Sequence, residues 1–417
     1  MVLNILRACT AAAFAVASTD IAWGQYVGSE GIETGAAEVS GVQTQEAAEE
    51  PDRSLGPDYY GTEPIKFLSN EGKGYSAAEM ILGEDRPINF GGWASLGYTS
   101  RSTGLFNTDP GRINNNQSWL YLEKVADGSD GFDWGFRADA MYGTDSADTQ
   151  AFGNLPGNWD FDNGFDRGSG YGFAIPQLYA QLAYEDFSLI GGHFFTPIGY
   201  EVVTAPTNFF FSHAFTMYRS EPFTHTGALA TYSGFEMLTL YGGWTAGWDT
   251  GFDQNDGGSN FLGGFKVTPI DEVSFTYLAT AGNLGAIGDG YSHSIVIDTK
   301  PLPGLNYVLQ SDYLDVNKDV LGTGSDYYST IGINQYLMYY IYDEIGVGTR
   351  FEWWKPNNTS YYEATVGMNL KPIPNIIIRP ELRWQWSPAA NDNEARNIAG
   401  LPVDEGAIFG MDVIFTF

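Results

Sequence analysis

The sequence predicts an all-β fold: a transmembrane up-and-down antiparallel β-barrel of about 16 strands, with an inward-folded third extracellular loop. Three observations lead there. The stretch from Glu405 to Phe417, EGAIFGMDVIFTF, alternates as a strand does. Ala407, Phe409, Met411, Val413, Phe415 and Phe417 share one oily face, and Ile408, Gly410, Asp412, Ile414 and Thr416 share the other. The chain is rich in aromatics and glycine (27 Phe, 26 Tyr, 11 Trp and 52 Gly among 417 residues), yet its mean hydropathy is low. That combination suits an apolar outside, a polar inside and wet loops. Finally, short and long connections alternate strictly along the chain, which is the mark of turns at one membrane face and loops at the other.

Taken in order, the first two dozen residues read as a secretory signal. Arg7 supplies the positive start, Ala8 to Ala17 the short apolar run, and Ala22-Trp23-Gly24 a small-x-small site. Residues 1–24 are therefore expected to be a signal peptide. The only cysteine, Cys9, falls within it, so the processed chain would lack thiols and could form no disulfide, Fe–S cluster, cysteine zinc site or covalent haem. Residues 25–86 read as an acidic, largely disordered arm, periplasmic or plugging. Residues 26–86 hold thirteen Asp or Glu against four Lys or Arg, with little periodicity. Ser76-Ala-Ala-Glu79 has the spacing of a helix capping box.

The barrel is expected over 87–417. Its strand cores are predicted at 88–99, 117–125, 131–144, 175–185, 187–195, 226–233, 235–246 and 260–267. They continue at 272–281, 291–299, 305–314, 326–338, 343–354, 360–370, 375–386 and 405–417. Within these, alternation assigns faces. Phe132, Trp134, Phe136 and Tyr142 point outward, with Asp133, Arg137 and Asp139 inward. Ile345, Val347, Phe351 and Trp353 point outward, with Arg350 and Glu352 inward. Ile376, Ile378, Leu382, Trp384 and Trp386 point outward, with Arg379, Glu381, Arg383 and Gln385 inward. A basic charge on the lipid face near the midplane costs about 2–4 kcal/mol, which forces the charged faces inward. FSLIGGHFF (187–195) has no clear face. Even strand number puts both ends in the periplasm of the bacterial outer membrane, with lipid as the outer partner.

The net charge is −31, from 20 basic and 51 acidic residues. Nucleic acid is excluded as a partner, since neutralising phosphates needs a basic face. Solvated loops account for the acidity better than a calcium-bridging surface does. Asp160-Phe-Asp-Asn-Gly164 and Asp249 to Asp256 lack the bidentate Glu of a calcium loop. His193, His213, His225 and His293 show no metal spacing. No metal or cofactor is expected.

The least generic segment is Gly191 to Ser233, GGHFFTPIGYEVVTAPTNFFFSHAFTMYRSEPFTHTGALATYS. With GGWASLGYTS (91–100), LYLEK (120–124), FRADAMYGTD (136–145) and YGFAIPQLYAQLAY (171–184), it resembles the Putative beta-barrel porin-2 (OmpL-like) family over roughly Ile88 to Phe417. The resemblance implies an outer-membrane diffusion channel. On its own physics, the connection 196–225 carries too many apolar residues for an exposed loop, among them Phe209, Phe210, Phe211, Phe215 and Met217. They must be buried: in the lumen as a constriction, under a lid outside, or at a subunit contact. The constriction is the favoured expectation.

Pore-lining residues are expected to be Arg137, Asp139, Lys266, Arg350, Glu352, Arg379, Glu381 and Arg383. The constriction loop is expected to supply Glu201, Phe209, Phe210, His213, Arg219, Glu221 and His225. A basic wall facing an acidic loop would set a transverse field. The plainer account is that Arg350–Glu352 and Arg379–Glu381–Arg383 satisfy one another across strands. The expected function is a water-filled porin passing small hydrophilic solutes or ions by diffusion, trimeric by analogy with barrels of this strand number. The alternatives are a plugged barrel acting as anchor or adhesin, and an outer-membrane hydrolase using Ser212-His213. Adjacent residues on an extended chain point apart, which weighs against the hydrolase.

Overall fold

The computed structural model describes residues 74–417 except 84–85, 167, 169, 323, 390–400 and 404–405. The expected signal peptide and nearly all of the expected acidic arm lie outside the described residues. Before the barrel comes one helix, α1 (Ala77–Leu82), whose N-cap Ser76 accepts a hydrogen bond from Glu79 N, as the capping-box spacing predicts. Just ahead of it, the Asn375 side chain donates to Tyr75 O at 2.8 Å and to Thr416 O at 2.9 Å. The segment entering the barrel is thus tied to its short-turn end.

The strands are β1 (Asn89–Thr99), β2 (Ile113–Lys124), β3 (Asp133–Gly143), β4 (Gly172–Ala174), β5 (Leu178–Tyr184) and β6 (Phe187–Phe195). They continue as β7 (Thr224–Phe235), β8 (Leu238–Trp248), β9 (Ser259–Ile270), β10 (Val273–Asn283), β11 (Asp289–Leu302) and β12 (Leu305–Val316). The last are β13 (Tyr328–Tyr342), β14 (Ile345–Pro356), β15 (Tyr361–Ile373), β16 (Ile376–Trp386) and β17 (Ile408–Thr416). Each pairs antiparallel with its neighbours, and β1 pairs with β17, so the sheet closes. Both β4 and β5 pair with β3 and together occupy one position, which makes a sixteen-strand barrel. The strand at this position begins ahead of its predicted core 175–185, as β4, and is interrupted before β5, where Pro176 has no N–H for the ladder. Across the gap, Asp139 N still donates to Gln177 O at 2.9 Å.

Alternation decides the packing. On β16, Ile377, Arg379, Glu381, Arg383 and Gln385 are buried, while Leu382, Trp384 and Trp386 are exposed. On β17, Asp412 and Ile414 are buried while Phe409 and Phe415 are exposed. The exposed apolar faces form the outside of the barrel. The charged faces, which would be costly in lipid, lie on the opposite side. The ambiguous strand β6 resolves in its first half: Phe187 is exposed and Ser188 and Ile190 are buried. Its far end is covered on both faces, with the Trp159 ring 6.0 Å from His193 and His193 Nδ1 2.8 Å from Thr226 Oγ1. Local alternation fails there because a long connection shields the face that would otherwise be open.

Candidate functional site: the connection between β6 and β7

The chain from 196 to 223 joins β6 to β7 and includes a 3-10 turn (Ala205–Thr207) and a one-turn helix, α2 (Phe215–Arg219). A buried irregular segment must find partners for its backbone N–H and C=O groups. Here they come from side chains on the buried faces of the strands. Arg379 Nη1 donates to the carbonyls of Ala205 (2.7 Å), Asn208 (2.7 Å) and Phe210 (2.9 Å). Arg350 Nη1 donates to Ser212 O at 2.6 Å, and Arg383 Nη1 to His213 O at 2.7 Å. Glu381 accepts from Phe211 N (3.0 Å) and Ser212 N (3.1 Å), and Glu352 from Phe215 N and Thr216 N, both 2.6 Å. On the far side of the seam, Gln117 donates to Val203 O at 2.8 Å and accepts from Ala205 N at 3.1 Å.

Each guanidinium also has a carboxylate. Arg379 forks onto Asp412 at 2.9 and 2.7 Å. Arg350 reaches Glu363 at 2.5 Å and the connection's own Glu201 at 2.6 Å. These side chains are at most 5% exposed, so the planar five-donor fork serves two masters at once, a carboxylate and a run of carbonyls. Burial alone would raise the Glu201 carboxyl. Arg350, with His213 and the Ala214 N–H, overrides it and holds the group at about 2.

Glycines on the buried strand faces receive the aromatic run. A Cβ added at Gly348 would sit 2.6 Å from the Phe209 ring, at Gly367 3.2 Å from Phe210, at Gly410 3.1 Å from Phe211, and at Gly332 2.3 Å from Thr216 Oγ1. Phe209 and Phe210 pack with Val308, Tyr336, Met338 and Tyr340. Ile198 packs with Ile190, Phe194, Leu229, Leu262 and Leu278 on the opposite arc, and Val203 and Ala205 with Trp93 and Trp119. The 28-residue connection thus touches strands all round the barrel, and its two ends are joined by Thr196 N donating to Phe223 O at 2.9 Å.

Of the sequence-predicted residues, Arg350, Glu352, Arg379, Glu381, Arg383, Glu201, Phe209, Phe210 and His213 come together here. The plainer pairing within Arg350–Glu352 and Arg379–Glu381–Arg383 is not what forms: the arginines take Glu363, Glu201 and Asp412, and Glu352 and Glu381 take backbone N–H groups of the connection. Arg137 and Asp139 lie apart on β3. Arg137 bonds Glu123 and Asp139, each at 2.8 Å, over the Tyr121 ring. Lys266 is half-buried on β9. His225 belongs to β7, which starts two residues earlier than its predicted core. Its Nε2 is 3.0 Å from Thr196 Oγ1. Arg219 ends α2 with its guanidinium 4.9 Å from the centre of the Tyr218 ring. Glu221 reaches Gln310 on β12. Ser212 Oγ accepts from Arg350 at 3.0 Å while the His213 ring meets Glu201 at 3.2 Å, so these neighbours serve different partners. Sequence reasoning missed Gln117, Glu363 and the receiving glycines. An available signal was glycine recurring at inward positions, as in Gly346, Gly348 and Gly332.

The profile of the family described as "Putative beta-barrel porin-2, OmpL-like" matches residues 87–417. No curated protein matches the chain. Among solved structures, the barrel is similar to an anion-selective porin from Comamonas acidovorans (10% identity, TM-score 0.54, 79% of this chain and 99% of that one). It is also similar to the trimer form of OmpT, an outer membrane protein of Vibrio cholerae (10%, 0.51, 79% and 99%). A variant of a Rhodopseudomonas blastica porin matches at 12% and 0.50, over 79% and 100%. At such identities the likeness is one of fold.

Proposed function

The chain belongs to the Putative beta-barrel porin-2, OmpL-like family, and from that premise we propose that it is a bacterial outer-membrane porin. It passes small hydrophilic solutes or ions by diffusion, and the connection 196–223 folds into the lumen and sets what passes. The observation that carries this reading is the clamp. A segment of about the right length to cross a wide barrel has its backbone satisfied by inward-facing Arg350, Arg379, Arg383, Glu352 and Glu381. In this reading those five charges position the constriction and do not themselves line the water path. Charges with water access, such as half-buried Lys266, contribute to ion preference. Catalysis has no part in it, since Ser212 and His213 are bonded to different partners. A trimer fits barrels of this strand number.

Burial also favours a second reading, a barrel closed by the connection and serving as an anchor. At least one side chain on the buried face is no more than 4% exposed on strand after strand, including Ser95, Gln181, Leu229, Leu278, Asn334 and Asp412. Single-channel recording of the refolded chain in a planar bilayer decides between them. Steady, salt-proportional openings are expected, larger after residues 203–216 are replaced by a short glycine-serine linker. Silence from both folded proteins would overturn the channel.

A further inference from the structure

Where the connection leaves β6 and returns to β7, its two ends meet beside β12, and the contact there is between two acids. Glu221 and Asp312 are both buried, 5% and 1% exposed, and both accept from one amide nitrogen, that of Gln310. Two buried carboxyl groups that close, with no cation beside them, stay together only if one of them carries a proton. Gln310 Nε2 donates to Asp312 Oδ2 at 2.7 Å and to Glu221. On the other side, Glu221 lies against Gly199, whose φ is +93° and where a Cβ would come within 2.1 Å of the carboxyl oxygen. The pair therefore pins both ends of the connection, at Gly199 and at Glu221, to the wall.

The groups facing Glu221 are Asp312 and Gln310 from β12, Ser294 from β11 through Asp312, Tyr336 from β13, and Glu201 from the connection itself. Glu201 is neutralised by Arg350. No cation among the described residues lies within ion-pair distance of Glu221 or Asp312, in contrast to the arginine-held carboxylates a few ångströms away. We propose that Glu221 and Asp312 form a proton-operated latch that holds the connection 196–223 closed against the wall and releases it when the pair's proton is lost. This rests on the channel reading above.

The direction follows from linkage. Burial first, and then Asp312, raises the Glu221 carboxyl well above its ordinary range in the closed form. Once the connection leaves the wall and water reaches the group, that elevation disappears. The closed form therefore binds the proton more tightly, so it is favoured at low pH and loses ground as pH rises. One proton linked to opening allows up to about tenfold change in the open:closed ratio per pH unit.

The test records open probability in a planar bilayer from about pH 6 to about pH 9 for the full chain and for Glu221→Gln and Asp312→Asn, which keep a hydrogen-bonding group but cannot ionise there. The latch predicts at least about a fivefold rise with pH in the unaltered protein and a flat response in either variant. A flat response in the unaltered protein, or an equal slope in all three, overturns it. A second arm needs no current. In a Cys9→Ser, Ala214→Cys chain the new thiol sits where Ala214 is fully buried, and its labelling by a charged maleimide reports release. Labelling must accelerate with pH several-fold more than in the same chain carrying Glu221→Gln, a ratio that cancels the thiol's own ionisation. Equal acceleration overturns the latch. Silence in the bilayer with unequal labelling overturns only the channel reading.

Discussion

Arg379 shows how a single side chain can be legible in position and illegible in role. Its place on an inward face follows from alternation, and the cost of basic charge in lipid enforces it. What it does there depends on three carbonyls of the connection, each more than a hundred positions away, and on the carboxylate of Asp412 on the next strand. Because the guanidinium is 3% exposed, Arg379→Ala strands a buried carboxylate and three carbonyls. We expect it to destabilise the folded barrel by about 3–5 kcal/mol, read in denaturant unfolding from detergent. The same change should raise single-channel conductance by freeing the connection. If Arg379 were an open-lumen charge, ion preference would shift at unchanged conductance and stability.

At the scale of the element, the connection between β6 and β7 is a fold within the fold, and the wall has been shaped to it. Inward glycines on neighbouring strands leave dents, and successive phenylalanines fill them. Gly348→Val places branched carbon where the Phe209 ring lies 2.6 Å from the added Cβ. Overpacking of this kind costs about 1–3 kcal/mol. The expected result is limited proteolysis cutting within 203–216 in the variant but not in the parent, with the β-strand circular dichroism unchanged. A double variant that shortens the ring, Gly348→Val with Phe209→Ala, should recover protection. Failure of both to alter cleavage would mean that the dents are incidental. The apolar content of 196–223 announced burial, and alternation announced the charged wall. Their union was not readable, because Glu201 with Arg350 and Phe211 with Gly410 are long-range contacts that no local period encodes.

For the whole molecule, closure is the main source of cohesion. Apart from the three-residue β4, which pairs with β3 alone, every strand is paired on both edges, β1 with β17 among them, so no long edge remains to fray or to template another chain. Closed barrels of this kind resist detergent until heated. The protein should therefore run at different positions on a denaturing gel before and after boiling. A single position at both conditions would count against a folded membrane barrel. Pairing partners adjacent in sequence, for all but the closing pair, explain why several strand boundaries were predicted closely: β6 (Phe187–Phe195) coincides with its expected core, and β1, β12 and β16 fall within about two residues, whereas β2 starts and β13 ends about four residues beyond theirs. The exception at Pro176 is itself a sequence-level effect.

The sequence by itself determined the barrel: strand number, faces, the alternation of turns and loops, and the outer-membrane setting. These depend on a period of two and on solvent chemistry, which act residue by residue. Only the tertiary structure decided what the inward charges are for. Alternation puts a side chain inside but is silent about what it meets there. Whether an arginine faces water, a neighbouring carboxylate or the backbone of a connection is fixed by how far that connection reaches and where the glycines let it rest. The paired acids Glu221 and Asp312 are the clearest case, since ninety-one positions separate them and only closure of the barrel makes them neighbours.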